Sequence, residues 1–300
     1  MATLNYTTQF DTRIRELYGH ELVSNELFNS NNDIQIKGAK EVKIPKLTVS
    51  GYKDHTRGAG FSAGTYANDF EVKTLDHDRD IEFAIDPMDV DETNTIVSIA
   101  NVQKRFESTQ AIPELDCYTF SKIYSEAKRV GATVKNVAIT AANVLSDFDD
   151  NCEAFENAGV PLSRCILYCT AAYKKALKNA EGIQRTLEVA GGANVIDRRV
   201  HTMDDLKEIK VVPLERFKTA YDFTDGYKAA GNGKQIHYIL IDPESQVSRV
   251  KYSYINVYTP GHDSRTADNY MYQNRRYNGT FALDELMKNG CIINSEAEKD

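Results

Sequence analysis

The sequence lacks the features that take a chain into or across a membrane. Residues 1–19 contain no apolar run of signal-peptide length, and no later stretch approaches the roughly 18 consecutive apolar residues of a membrane span. We therefore expect a protein that is not exported by that route and has no membrane partner. At 300 residues, the chain is long enough to bury a real core in about two domains.

Paired cysteines and an excess of positive charge are also missing. The five cysteines form an odd set without a C-x-x-C pair, which is typical of reduced thiols in a cytosol. Cys165 and Cys169 lie in the apolar run RCILYCT, which favours buried packing over metal ligation. Lysine and arginine total 36 against 44 aspartates and glutamates, a net charge of −8. This balance disfavours a protein whose main role is to bind nucleic acid phosphates.

Alternating polarity predicts a long β-hairpin after an N-terminal arm. Residues 11–28 show helical spacing of apolar groups, and the polar stretch NSNND ends that pattern. From Glu41 the period changes to two, and strand-like runs flank the glycine-rich GAGFSAG, with the second run continuing to Ile85. Arms of about 16 residues, at about 3.3 Å each, reach roughly 50 Å, which exceeds a compact domain. Part of the hairpin must project, and its open edges favour pairing with another chain.

The rest of the chain predicts an α/β or α+β domain, and we expect the α+β class. AIPELDCYTFSKIYSEAKRVG has the start and stop signals of a helix, with Pro113 in its first turn and Gly131 after its end. ITAANVLSDFDDNCEAFENAG and TAAYKKALKNAEG predict two further helices, the second capped by Thr170. RCILYC, IKVVP and HYILI predict strands. The tyrosine-rich last third, from VSRVKYSYINVYTPG to LMKNGCII, predicts sheet throughout.

Short motifs raise enzymatic alternatives. DVDET (89–93) matches D-x-D-x-T, the nucleophile motif of Mg²⁺-dependent haloacid-dehalogenase-type phosphohydrolases, but Pro87 and Met88 separate it from the preceding strand pattern. DHDRDI departs from a calcium loop because Ile81 stands at the glycine position. No helix pattern follows GAGFSAG, and the six histidines have no ligand or triad spacing. We expect no catalytic, cofactor-binding or metal residue, with the phosphohydrolase as the enzymatic alternative.

The order of three segments carries a resemblance to a known family. IKGAKEVKIPKLTVSGYKDHTRGAGFSAG, TLDHDRDIEFAIDPMDVDET and FESTQAIPELDCYTFSKIY together resemble the major capsid proteins of tailed bacteriophages with the Hong Kong 97 fold. The resemblance implies a head-shell protein, not an enzyme, that self-assembles into hexamers and pentamers of an icosahedral shell enclosing double-stranded DNA. An encapsulin-like cargo compartment, which shares the fold, is the alternative.

The resemblance also implies an architecture. Residues 1–40 would form the N-terminal arm and residues 41–88 the extended hairpin, or E-loop. Residues 89–135 and 244–300 would form a discontinuous P-domain with a spine helix at about 113–130, and residues 136–243 a central A-domain. Lys53, Lys73 and Asn278 are of the types that some members join covalently, but they carry no local signature, and we expect no cross-link.

Phe70 to Thr93 contains nine acidic residues, and the resemblance gives them a place at the junction of the E-loop and the P-domain. There they would meet basic groups of the same or neighbouring subunits. The candidate inter-subunit contact residues are Arg57, Phe61, Tyr66, Asp76, Asp78, Arg79, Asp80, Arg275 and Arg276. The implied partners are other copies of the chain, a separate scaffolding protein, and portal and head decoration or completion proteins. The enclosed DNA would be bound without sequence specificity, in a virion assembled in the host bacterial cytoplasm.

Overall fold

The structure is a computed structural model that describes residues 22–28, 41–55, 57, 61–92, 98–180, 203, 205–261 and 267–297. The helices are α1 Asn25–Phe28, α2 Pro87–Glu92, α3 Ile99–Phe106, α4 Ile112–Val130, α5 Val144–Asn157, α6 Ala171–Asn179 and α7 Asp284–Gly290. The strands are β1 Glu41–Val49, β2 Tyr66–Thr74, β3 His77–Ile85, β4 Thr133–Lys135, β5 Ile166–Cys169, β6 Glu208–Val211, β7 Tyr221–Asp222, β8 Lys228–Ala229, β9 Ile236–Ile241, β10 Gln246–Tyr258, β11 Tyr270–Ala282 and β12 Cys291–Ser295. Residues 11–21 of the predicted arm helix lie outside the described part. The mixed α+β class is confirmed.

The hairpin is shorter than the sequence pattern predicts. Strands β1 and β2 pair antiparallel from Glu41 opposite Thr74 to Val49 opposite Tyr66, so each paired arm has nine residues. Strand β3 leaves the hairpin and pairs with β11 instead. The change of sheet occurs at Leu75, which is buried against Val247 and Phe281 and thereby fixes the chain at this point.

A three-stranded antiparallel sheet receives the chain after the hairpin, in the order β10-β11-β3. Tyr272, Asn274 and Arg276 of the central strand β11 face the helices α3 and α4. All three make hydrogen bonds to Glu107, which lies between these two helices. The alternate residues of β11 therefore form the outer face of the sheet.

A long helical segment forms the centre of the molecule. Helix α4 begins and ends within a residue of the predicted helix, and Gly131 stops it with a left-handed φ of 76°. The sequence analysis missed that α3 and a π-helical turn, Glu107–Ala111, lead directly into α4. The π turn is visible in the spacing of buried residues, since Gln103 and Glu107 are four apart but the next fully buried residue, Ile112, is five further on.

A five-stranded sheet, ordered β4-β12-β9-β5-β6, packs on the other side of α4. One of its faces covers α4 through Tyr168 and Ile239, and the opposite face packs on α5 and α6 through Leu167 and Leu240. The predicted α5, α6, β5, β6 and β9 are therefore confirmed. Thr170 caps α6, as predicted, by accepting a hydrogen bond from the backbone N–H of Tyr173.

Two features of this layer differ from the sequence-based outline. The sheet joins β4 and β12 to β9 and β5, so it crosses the predicted domain boundaries at residues 135 and 244. The expectation of sheet throughout the last third is wrong for Asp284–Gly290, which is helix α7. Acidic Asp284 and Glu285 lie in its first turn and Lys288 in its last, an order that stabilises the helix dipole. Within the described ranges, no helix is both long and apolar enough to cross a membrane.

Candidate assembly surface

One face of the β1–β2 hairpin is apolar and open to solvent. Directly opposite residues of an antiparallel pair lie on the same face, so Leu47, Val49, Tyr66 and Val72 share one side of the ribbon. Their exposures are 66%, 72%, 82% and 50%. An isolated two-stranded ribbon with such a face is only marginally stable in water, so the face requires a covering partner.

The other face of the same ribbon is polar toward the tip, whereas Ile44 on that face packs against the Leu75 cluster near the base. Thr48 donates a hydrogen bond from Oγ1 to the carbonyl of Ala67 opposite it, and Asp69 and Glu71 follow at two-residue steps. The two faces therefore differ in chemistry, and the face of Leu47 and Val49 is the one that offers exposed apolar area for burial against another surface.

The tip of the hairpin presents large side chains to solvent. Ser50 and Thr65 close the ladder through two hydrogen bonds, each 2.9 Å long, from the backbone N–H of Ser50 to the carbonyl of Thr65 and from the N–H of Thr65 to Ser50 Oγ. Beyond this pair, Tyr52 and Phe61 are fully exposed. Of the predicted contact residues, Arg57, Phe61 and Tyr66 are all exposed and lie on this hairpin.

The acidic run forms a row on the outer face of the three-stranded sheet. Asp78, Asp80 and Glu82 alternate along β3, opposite Tyr277, Arg275 and Gln273 of β11. Arg275 binds Asp78 with two hydrogen bonds, Nε to Oδ1 at 3.0 Å and Nη2 to Oδ2 at 2.7 Å. The predicted meeting of this run with a C-terminal arginine thus occurs within one chain. Contact of these residues with a neighbouring subunit stays a prediction.

Arg79 and Arg276 point inward and bind carboxylates outside the acidic run. Arg79 Nε donates to Glu114 Oε1 at 2.7 Å, and Arg276 Nη2 donates to both carboxylate oxygens of Glu107 at 3.1 Å. These two arginines support the interior of the chain between β3, β11 and the helical segment. Contact of Arg79 and Arg276 with a neighbouring subunit likewise stays a prediction.

Glu107 is the most deeply buried carboxyl of this region, with no exposed surface. It also accepts hydrogen bonds from Tyr272 Oη at 2.9 Å and from Asn274 Nδ2 at 2.7 Å. Burial raises the pKa of Glu107 to about 7, although these two hydrogen bonds act in the opposite direction. The π turn places this carboxyl against β11. No sequence signal marks it, because Gln103 and Glu107 are polar and their burial is visible only in the structure.

The base of the hairpin is tied to helix α4 through Asp76 and to helix α7 through Lys73. Asp76 accepts hydrogen bonds from Tyr118 Oη at 2.5 Å and Lys122 Nζ at 2.6 Å. Burial acts to raise the pKa of Asp76, but the hydrogen bonds from Lys122 and Tyr118 outweigh it and lower the pKa below its usual value. On the polar face, Lys73 Nζ contacts Asp284 Oδ1 at 2.8 Å.

Asp284 joins three elements and was missed by the sequence analysis. It also binds Arg129 near the end of α4, and the hydrogen bonds from Arg129 hold the pKa of Asp284 well below its ordinary value. Because Lys73 is on β2, Arg129 on α4 and Asp284 on α7, this cluster fixes the direction in which the hairpin leaves the molecule. No spacing or composition signal in the sequence connects these three residues.

The phosphohydrolase geometry is not met. Strand β3 ends at Ile85, and Asp89 lies exposed in the short helix α2 instead of directly after a buried strand. Among the residues that the structure describes, no group of three or more histidine, cysteine, aspartate or glutamate side chains is placed to hold a metal ion.

Comparison with known proteins identifies the fold. Neither a protein-family model nor a curated protein matches the sequence. The capsid structure of cyanophage P-SCSP1u matches with a TM-score of 0.65 and 10% identity, covering 88% of this chain and 85% of that one. The mature capsid of bacteriophage PhiM1 matches with a TM-score of 0.62 and 12% identity, over 87% and 83%. A chain of Mycobacterium phage Cain matches with a TM-score of 0.59 and 10% identity, over 94% and 92%. The chain has the fold of these phage structures.

Proposed function

We propose that the chain is the major capsid protein of a tailed bacteriophage and assembles into the hexamers and pentamers of an icosahedral shell around double-stranded DNA. The observation that carries this proposal is the fold shared with two phage capsid structures over more than four fifths of both chains. Its role is structural and not catalytic, and its place is the virion. The fold type we assign is that of Hong Kong 97.

The exposed hairpin gives this function a physical basis. Its apolar face, defined by Leu47, Val49, Tyr66 and Val72, loses its contact with water only against another surface. At about 25 cal/mol per Å² of buried apolar area, covering side chains of this size contributes several kcal/mol per subunit interface. A shell repeats that interface many times, so the hairpin is suited to assembly by copies of one chain.

The architectural domains remain part of the proposal. Residues 1–40 act as the arm, 41–88 as the E-loop, 89–135 and 244–300 as the P-domain, and 136–243 as the A-domain. Helix α4 is the spine of the P-domain. With these boundaries, the sheet of β4, β12, β9 and β5 would run from the P-domain into the A-domain.

The partners follow from the same proposal. Copies of the chain contact one another through the hairpin, and a separate scaffolding protein guides assembly in the host cytoplasm. Portal and head decoration or completion proteins complete the shell. An encapsulin-like compartment would use the same contacts but enclose protein cargo, so the nucleic acid content of purified particles distinguishes the two.

Electron microscopy of matched variants tests the proposal. We expect the wild-type chain, expressed with its scaffold where needed, to form closed shells in negative stain. Leu47→Ser with Val49→Thr should leave circular dichroism unchanged and abolish shells, because both side chains are more than half exposed. Thr48→Ser with Ala67→Ser, on the polar face, is the control and should assemble normally. Normal shells from the Leu47/Val49 variant, or no shells from wild type under any condition, would contradict the proposal.

A further inference from the structure

One edge of the three-stranded sheet is open. Strand β3 pairs with β11 on one side, and its other edge pairs with no strand in the part of the chain that the structure describes. The opposite edge strand, β10, is interrupted by a bulge between Val250 and Tyr252, which blocks regular pairing. Helix α1 also covers the start of β10, where Gln246 donates to the carbonyl of Leu27 at 2.8 Å. Strand β3 is therefore the edge that can accept another strand.

Two cavities are lined by residues of β3. A cavity of about 260 Å³ lies beneath β3, with Ile81 and Phe83 on one side and Phe106 and Leu115 of the helical segment below. The segment at Gly226 forms part of its other wall. A second cavity of about 400 Å³ continues past Arg79 between the start of β3 and residues 219–223. The lining of the first cavity is mixed: Ile81, Phe83, Phe106 and Leu115 are apolar, whereas Arg79, Glu114 and Arg276 are charged and already paired within the chain.

A buried polar atom in the first cavity has no partner. Asn278 is 4% exposed, and its Oδ1 accepts no hydrogen bond from the residues that the structure describes. A buried amide oxygen without a donor costs about 1–3 kcal/mol, so the site favours a ligand that brings an N–H or O–H group. Because Asn278 lies on β11, one strand in from the open edge, this donor would come from a group that enters the cavity and not from the main chain of a strand beside β3.

The outer face of this edge is acidic. Asp80 and Glu82 lie on the outer face of β3 and form no ion pair within the described ranges, whereas Asp78 is neutralised by Arg275. Their two-residue spacing matches the spacing of side chains on one face of a strand. A strand laid beside β3 would hold its outward side chains next to these carboxylates and its inward side chains over the cavity.

From these observations we infer that the edge of β3 binds an extended segment of another polypeptide, in which basic residues alternate with small apolar residues. The segment extends the sheet by main-chain pairing, its apolar side chains enter the 260 Å³ cavity, and its basic side chains contact Asp80 and Glu82. This site is separate from the apolar face of the hairpin. The inference does not rest on the proposed capsid function, because it concerns a partner segment and not shell formation.

Peptide binding tests the inference on the full-length chain, kept below its assembly concentration as checked by light scattering. The probe is a labelled seven-residue peptide of alternating lysine and valine. One analogue replaces lysine with glutamate, and a second carries N-methyl groups on its interior amides, which removes backbone donors and keeps every side chain. We expect saturable anisotropy changes with the first peptide only, at low salt.

Variants and hydrogen exchange locate the site. Asp80→Asn with Glu82→Gln should weaken binding about three- to tenfold, as expected for two exposed ion pairs. Asp149→Asn with Asp150→Asn, which removes two charges from the exposed face of α5, should leave it unchanged. Bound peptide should slow exchange in β3 and not in β10. Absence of binding, equal binding of the N-methylated analogue, an unaffected Asp80/Glu82 variant, or protection of β10 would each overturn the inference.

Discussion

Ser24 and Asp116, 92 residues apart in sequence, are joined by two hydrogen bonds in the interior. The backbone N–H and the hydroxyl of Ser24 both donate to Asp116 Oδ1, at 3.0 and 2.8 Å. The other carboxylate oxygen accepts from the N–H of Val23 and from Arg216 Nη1. Burial raises the pKa of Asp116, and these donors oppose that rise. A single carboxyl of helix α4 thus fixes the segment that carries α1.

Asp116→Ala should destabilise the chain by about 2–4 kcal/mol, because it leaves two buried backbone N–H groups without an acceptor. Hydrogen exchange in residues 22–28 should accelerate at the same time. Ser24→Ala is the milder comparison: it removes one hydroxyl and keeps the backbone bonds, and about 1 kcal/mol is expected. Chemical unfolding of the three proteins checks the order. Equal stability of wild type and Asp116→Ala would show that the carboxyl does not hold this segment.

Glu107 should make stability depend on pH. Its folded-state pKa is raised to about 7 from 4.5, so the folded state binds the proton more tightly than the unfolded state. The stabilisation of the folded state by this proton is fully present below 4.5, the pKa of Glu107 in the unfolded chain, and is lost as the pH rises through about 7. Glu107→Gln has no such titration, so the free energy of unfolding of wild type minus that of the variant should fall by about 2–3 kcal/mol from pH 5 to pH 8.

Denaturant titrations at the two pH values measure this difference. Glu114, whose pKa burial also raises, is present in both proteins and its effect cancels. Glu153→Gln, on the exposed face of α5, is the control and should give a difference that does not change with pH. A wild-type advantage over Glu107→Gln that grows with pH would mean that the ion pair with Arg276 outweighs burial.

Local patterns predicted single elements better than their assembly. The limits of α4 follow from Pro113 and Gly131, and the strand β5 from its apolar run, because these signals act within a few residues. The transfer of the chain from the hairpin to the β11 sheet depends on Leu75 meeting Val247 and Phe281. That contact spans more than 170 residues of sequence. The apolar phase does shift here, from Phe70 and Val72 to Ile81, Phe83 and Ile85, but the shift alone does not indicate which strand β3 joins.

The candidate assembly surface was also predictable from the sequence only in part. Alternation in DHDRDIE indicates that Asp78, Asp80 and Glu82 share a face, and the structure agrees. The partners of Arg79 and Arg276 could not be found from the acidic run, because Glu114 and Glu107 are brought to them by helix packing. Which face of β1 and β2 is apolar depends on register, and register is set by the closing pair Ser50–Thr65.

Gly279 and Leu75 give a sharp test of the junction between hairpin and sheet. A Cβ on Gly279 would lie 1.8 Å from Cδ2 of Leu75, which is itself 2% exposed. Gly279→Ala should therefore destabilise the chain by about 1–3 kcal/mol through overpacking. Gly231→Ala, where no atom lies within 4 Å, is the control and should change stability by less than about 0.5 kcal/mol.

A second substitution separates a clash from a backbone effect. Leu75→Ala removes the two atoms nearest to the added methyl of Gly279→Ala, Cδ2 and Cγ, so the double variant should be more stable than the sum of the single effects implies. Thermal unfolding of the four proteins completes the cycle. Additive effects would show that Leu75 is not the obstacle at Gly279.

The hairpin tip should be dispensable for folding and required for assembly. The sequence alone suggests replacing Arg57 to Asn68 with a turn, but that deletion would remove the first residues of β2. Joining Ser50 to Thr65 through Asn-Gly removes only residues 51–64 and keeps both strands. Among residues 51–64, those that the structure describes belong to no buried cluster, so the melting temperature should stay close to that of wild type. Shells should be lost, because the deletion takes away Tyr52, Arg57 and Phe61 and shortens the reach of the ribbon. Circular dichroism melting and negative-stain microscopy measure the two halves of the prediction. Normal shells would show that the tip makes no assembly contact, and failure to fold would place the hairpin loop in the core.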